Sequence, residues 1–367
     1  MAKRSNGEGS VFKSKKTGKW VAQVTYYQNE KRRRKTKSAT SRSDANTFLR
    51  ELHKQVENGL ILSSSETVEG YLLGWVDEAK SQLAYNTYRS YKNIITKHVL
   101  PKIGRKKLAK LTPMDVQRMI NQLRDECIGG RALQLSYEYL NRALRKAYRY
   151  RMIQHNPCEP VDKPKHDPRK IDPFTVDQVK LILKAATDHM HYGLFFTALT
   201  TGMRSGELFG LFWESVDLDA KQIHVIQQLS RCEGGKEIKK LKTDSSYRTI
   251  DISEQTVDVM LQQRKWLIRH GYASSKHVFC GRDGAPINQE SFTRTWNNFL
   301  SDLEIKQRGF HHMRHTFATF AISNRVPITV VSETLGHAST SMTLDIYAHV
   351  LPSMKSEATN AVSKLIG

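Results

Sequence analysis

Phe310-His311-His312-Met313-Arg314-His315 is followed by Leu335-Gly336-His337 and then by Ile346-Tyr347, while Gly202-Met203-Arg204-Ser205-Gly206-Glu207-Leu208 stands about a hundred residues upstream. Together these stretches offer Arg204, Arg314, His311, His337 and Tyr347. An arginine guanidinium holds a tetrahedral phosphate through forked, charge-assisted hydrogen bonds, and two of them neutralise the extra negative charge of a five-coordinate phosphorus. A tyrosine hydroxyl supplies a nucleophile that stores the bond as a phosphotyrosine. The set is therefore suited to attack on a phosphodiester without metal.

The rest of the chain is in keeping with a polyanionic partner. Its 367 residues carry 58 Lys+Arg against 36 Asp+Glu, a net charge of +22 with a pI of about 9.8, far more positive than solubility requires. About half of this excess falls in residues 1 to 55. No apolar signal-peptide core opens the sequence, and no window approaches the roughly 18 to 20 apolar residues that span a bilayer. The expectation is a soluble protein of the bacterial cytoplasm, with no membrane partner, that joins the nucleoid when bound to DNA. Cys127, Cys158, Cys232 and Cys280 form no close pairs, so neither a disulfide framework nor a zinc cluster is expected.

A multidomain fold follows from the patterning. In residues 1–62, Trp20-Val21-Ala22-Gln23-Val24-Thr25-Tyr26-Tyr27 is rich in strand-forming residues. Lys31-Arg32-Arg33-Arg34-Lys35-Thr36-Lys37 is read as a third strand pairing back on it. Ser43 is read as the cap of a helix carrying Phe48, Leu49, Leu52 and Val56 at helical spacing. This predicts a small α+β domain, a three-stranded sheet plus one helix, with a very basic sheet face that includes Arg32, Arg33, Arg34 and Lys35. A disordered basic tail is the alternative, and the aromatic residues weigh against it. Residues 63–156 turn helical, with Val68, Leu72 and Val76 on one face and a helix start at Thr112-Pro113. They predict an all-α bundle whose Lys92 and Arg145 are candidate phosphate contacts, or members of a solvated face. Residues 157–173 hold five prolines among basic residues and are read as an extended linker. Residues 174–367 would form a mostly α domain with a small β-sheet.

Singly, each residue of the opening set has a plainer reading: a salt-bridged arginine, a core tyrosine, a turn histidine. Their order and spacing do not. Gly-x-Arg-x-x-Glu-Leu, then His-x-x-Arg-His, then Leu-Gly-His, with Tyr347 ten residues after His337, resembles the tyrosine recombinase (phage integrase) family. The upstream order of a basic module and a helical domain is similar to its arm-binding members, from phages and integrative mobile elements. One departure is His312, where many members carry an acidic residue.

The resemblance implies that Arg204 and Arg314 clamp the scissile phosphate and that His337 donates a further hydrogen bond. It makes His311 the general base for Tyr347 and Glu207 a supporting residue. Lys242, in Ile238-Lys239-Lys240-Leu241-Lys242-Thr243, is selected to protonate the departing 5′ oxygen, with Lys239 and Lys240 as competitors. His312 and His315 are left as neighbours without a role. Together with His311 they invite a metal, but no carboxylate or cysteine nearby completes a ligand set. Neither metal nor cofactor is therefore expected.

The chemistry is coherent on physical grounds. A tyrosine hydroxyl, with a pKa near 10, needs a base or a cationic field at neutral pH, and histidine suits the proton transfer. The family's product, a 3′-phosphotyrosyl link with a free 5′ hydroxyl, allows strand exchange without ATP. Implied partners are double-stranded DNA at core and arm sites, a homo-tetramer on DNA, and an excisionase or host DNA-bending protein. The segment from Met354 to Ile366 places apolar residues at helical spacing, for packing in trans on a neighbouring protomer or in cis. Rival functions are type IB topoisomerase-like nicking and resealing, and a non-catalytic DNA-binding regulator.

Overall fold

The computed structural model describes residues 9–28, 31–57, 66–166, 171–241, 243–281 and 283–347. The chain divides into two units, Met1–Pro168 and Arg169–Gly367.

The first unit begins with strands β1 (Ser10–Lys13), β2 (Trp20–Gln28) and β3 (Lys31–Ala39), paired antiparallel in that order. Helix α1 (Arg42–Glu57) covers one face, where Ala22, Val24 and Leu52 are buried with Val11, Phe48 and Leu49 packed against them. Ser41, not Ser43, starts the helix: its hydroxyl accepts from the Asp44 amide at 3.0 Å, which fixes the first turn two residues earlier than expected. The basic face also needs correction, because consecutive strand residues point to opposite sides. Arg34 lies opposite Thr25, whereas Lys35 lies opposite the buried Val24, on the helix side. Lys37, on that same side, sits 3.5 Å over the Phe48 ring and pairs with Glu51. The register places Arg33 opposite Tyr26 and Arg32 opposite Tyr27.

A helical bundle follows: α2 (Val68–Gln82), α3 (Tyr85–Ile94) running through one π-turn into α4 (Leu100–Ile103), α5 (Pro113–Asp125) and α6 (Gly130–Arg149). Thr112 and Asp115 cap α5 reciprocally ahead of Pro113. The faces read from periodicity form the core: Val68, Leu72, Val76, Val116, Met119, Ile120, Leu140 and Leu144 are all buried. Lys92 and Arg145 are exposed. Part of 157–173 does not run free as its prolines suggest. Cys158 and Val161 are buried in the bundle core, and the Tyr137 hydroxyl is shared between their carbonyls at 3.0 and 3.1 Å.

In the second unit, α7 (Val176–Ala185), α8 (Tyr192–Thr201) and α9 (Ser205–Phe209) precede the strands β4 (Val216–Asp217), β5 (Gln222–Val225), β6 (Gln227–Cys232), β7 (Gly235–Lys240) and β8 (Arg248–Asp251). Strands β4, β5 and β8 form one sheet, and β6 and β7 a separate hairpin. Helices α10 (Glu254–Arg269), α11 (Gln289–Asp302), α12 (His312–Ser323), α13 (Ile328–Leu335) and α14 (Thr340–Tyr347) complete it. Its core is strongly aromatic. Phe195 meets Trp296 edge-on at 5.0 Å, and Phe292 meets both Phe209 and Phe310 at about 5 Å. Phe209 and Phe310 sit beside the catalytic candidates in sequence, so this rigid cluster fixes the backbone from which Glu207 and His311 project.

Candidate active site

The site is organised by the C-terminal end of α13. An α-helix leaves its last carbonyls without intrahelical partners, and here all five have donors. The His337 amide returns to Ser332 O and the Gly336 amide to Glu333 O. The next three accept from arginines: Arg248 Nε to Thr334 O at 2.6 Å, Arg314 Nη2 to Leu335 O at 2.8 Å, and Arg204 Nη2 to Gly336 O at 2.9 Å. Three guanidiniums, from the N-cap of α9, from α12 and from β8, thus converge on the negative pole of one helix.

Each is held from a second side. Arg314, only 3% exposed, donates to Gly202 O at 2.8 Å. Gly202 ends α8 at φ +63°, and a Cβ there would lie 2.4 Å from Phe317 on α12, so only glycine permits this approach. Glu207, 1% exposed, receives Arg204 Nη1 at 2.8 Å, the Arg204 amide at 2.9 Å and Arg248 Nη2 at 2.8 Å. Burial pushes the Glu207 carboxyl up, but hydrogen bonds and charge from Arg248, then Arg204, outweigh it and hold the group below its ordinary range. Arg248 was not singled out by sequence. The available signal was its position two residues before the buried Ile250, on the same side of β8.

His337 follows Gly336, whose φ of +65° turns the chain, and its Nδ1 shares a 2.8 Å hydrogen bond with the Thr343 hydroxyl. Burial, then the charges of Arg314, Arg204 and Arg248, lower its pKa to about 4. His311 precedes α12. Its crowded surroundings and then Arg314 and Arg204 lower it to about 4. Its imidazole is therefore neutral at pH 7. Tyr347, 2% exposed, packs among Ala318, Ile322, Val331 and Leu335. Burial raises its pKa to about 12, with Arg314 opposing.

The Tyr347 hydroxyl finds its partner on α12. Its hydrogen bond is to His315 Nδ1 at 2.7 Å, and His311 meets the His315 ring edge-to-face at 4.8 Å. His315 was set aside because the family pattern assigns it nothing; one helical turn from His311, it faces α14 instead. Lys242 lies outside the described residues. Its neighbour Leu241 is buried and Thr243 bonds Ser245 and Ser246, while Lys239 pairs with Glu237 at 2.6 Å. Arg34, Lys35, Lys92 and Arg145 belong to the other unit, as do Arg32 and Arg33, whose side chains lie outside the described residues. Among the described residues no three His, Cys, Asp or Glu side chains group to hold a metal ion, and no helix is long and apolar enough to cross a membrane.

Residues 173–354 match the phage integrase family, and residues 67–124 match the phage integrase N-terminal SAM-like domain. The chain belongs to the phage integrase family. Relatives include a tyrosine recombinase XerC-like protein of Caldanaerobacter subterraneus subsp. tengcongensis, 26% identical over the whole of both chains. Among solved structures, the Tn1549 transposon integrase in complex with transposon right end DNA superposes with a TM-score of 0.70 at 20% identity, covering 82% of this chain and all of that one. A lambda integrase tetramer bound to a Holliday junction gives 0.61 at 17% identity, covering 90% of this chain and 96% of that one.

Proposed function

We propose that this chain is a site-specific DNA recombinase that cleaves and rejoins DNA through a 3′-phosphotyrosyl intermediate, integrating and excising a mobile element. The observation that carries the reading is the charge balance of the cage. Arg204, Arg248 and Arg314 face a single carboxylate, Glu207, as ion-pair partner among the described residues. Two positive charges are left uncompensated. A phosphodiester brings one negative charge and its five-coordinate transition state two, so the cage is matched to the transition state rather than to the ground state.

In this reading Arg204 and Arg314 hold the non-bridging oxygens, each with donors beyond those bonded to the helix end and Glu207. His337 adds a hydrogen bond, His311 borders the phosphate, and Tyr347 is the nucleophile. Lys242 protonates the leaving 5′ oxygen; the Lys239–Glu237 pair supports it over Lys239. The first unit supplies DNA contacts, with residues 1–62 at arm sites and 63–156 at the core site, and Arg32, Arg33, Arg34, Lys35, Lys92 and Arg145 as phosphate-binding candidates. The active assembly is a homo-tetramer on double-stranded DNA, served by an excisionase or host DNA-bending protein and working at the bacterial nucleoid.

The test is a nicked suicide substrate carrying the core site. Wild type gives a protein-DNA adduct that survives boiling, and Tyr347→Phe gives none; an adduct from Tyr347→Phe refutes the nucleophile. Joints formed between two duplexes distinguish recombination from topoisomerase-like resealing of one strand.

A further inference from the structure

Of the four histidines gathered around the arginine cage, one is bonded to the hydroxyl on which the chemistry depends. We propose that His315, rather than His311, receives the phenolic proton of Tyr347. The inference rests on the reading of Tyr347 as nucleophile.

Geometry carries it. The His315 Nδ1 to Tyr347 Oη distance of 2.7 Å is already that of a strong hydrogen bond. Both groups are mounted rigidly: His315 on α12 one residue after the buried Arg314, Tyr347 in the apolar cluster of α12, α13 and α14. A base must lie within hydrogen-bonding reach of the proton it abstracts. The groups facing His315 are His311, His312 and Arg314 from α12 and the turn before it, His337 from the turn after α13, and Tyr347 from α14. Burial and these neighbours keep the imidazole neutral, with a pKa of about 3. The phenol is neutral too, so the bond is Oη–H to Nδ1 and the Nε2 atom of His315 carries the ring proton.

Phosphate binding changes the balance. An anion seated between Arg204 and Arg314 offsets the positive field that opposes an imidazolium and makes His315 a stronger base as the substrate arrives. In the step itself the Tyr347 Oη–P bond forms as the P–O5′ bond breaks. The phenolic proton moves to His315 Nδ1. The 5′ oxygen takes a proton from Lys242 or water and leaves as a hydroxyl. His311 stays at the phosphate, and its contact with His315 disfavours charging both rings at once.

His315→Asn is the informative variant, because its amide oxygen occupies the position of Nδ1 and accepts the hydrogen bond without taking the proton. On the suicide substrate, with DNA affinity unchanged, adduct formation at pH 7 is expected to fall by about a hundredfold or more, the usual worth of a positioned base. The rate should then climb about tenfold per pH unit up to pH 9, as hydroxide ionises the phenol, while wild type stays flatter. His311→Asn should be slower, as expected for a residue at the phosphate, but should keep the flatter shape of the wild-type pH dependence. A His315→Asn rate within threefold of wild type, or the steep profile appearing in His311→Asn instead, overturns the assignment. Tyr347→Phe is run alongside, since an adduct there refutes the nucleophile and not only its base. Nitrogen NMR of histidine-labelled wild type gives a check without any variant: an Nε2–H tautomer at His315 is required, and Nδ1–H would refute the proposal.

Discussion

At the residue scale the decisive group is Glu207. It is the carboxylate that Arg204 and Arg248 share, and it is buried. Removing one partner from a buried charge network costs about 3 to 5 kcal/mol, because the charges left behind are unpaired and dehydrated. Glu207→Gln is therefore expected to lower the stability of the second unit by about 3 kcal/mol, read as a shift in its chemical denaturation midpoint. Urea unfolding unchanged by this substitution would show that the two arginines find other partners. Sequence pointed to Arg204, Glu207, His311, Arg314, His337 and Tyr347 as one set, because side-chain chemistry at fixed spacing is visible there. Arg248 and His315 were missed for a shared reason: each owes its place to which way one residue of a strand or helix turns.

At the element scale, α13 matters for its end rather than its faces. Its carbonyls carry no mark in the sequence, since every residue has one. Only the Leu335-Gly336-His337 stop shows where they fall. Gly336 adopts φ +65°, and a Cβ there would come 3.0 Å from Arg248 Nη1 and 3.2 Å from Ser245 O. Gly336→Ala is expected to cost about 1 to 2 kcal/mol for the left-handed backbone alone. It should also slow cleavage more than it weakens DNA binding, because it displaces Arg248 and the carbonyl that holds Arg204. Equal losses in binding and cleavage would contradict this. The same limit applies in the first unit. Composition marked β3 as a basic strand, but pairing decided that Lys35 and Lys37 lie on the side of α1 and Arg34 on the other. The bundle was more legible, because helical periodicity names its buried face directly.

At the scale of the whole molecule, the histidines tie stability to pH. His311, His315 and His337 are held at about 4, 3 and 4, below the ordinary value of about 6.5. Unfolding restores that value, so the unfolded chain binds more protons across the interval between them. Their contribution to stability is complete above pH 6.5 and is lost as pH falls towards 4. His277, also lowered by burial, acts in the same direction. The melting temperature of the second unit should drop between pH 7 and 4.5, and His315→Asn should flatten that slope; a flat wild-type profile would contradict the neutral histidines. Glu207, held low, adds its loss only at more acidic pH.

The convergence of three guanidiniums on one helix end has a mechanical corollary. Arg204, Arg248 and Arg314 arrive from three different elements, yet each takes a bearing from successive carbonyls of Thr334, Leu335 and Gly336. A slide of α13 by the rise of a single residue, about 1.5 Å, would put all three out of register together. The three guanidiniums therefore depend together on the placement of α13, and so does α14, which carries Tyr347 and packs directly on it.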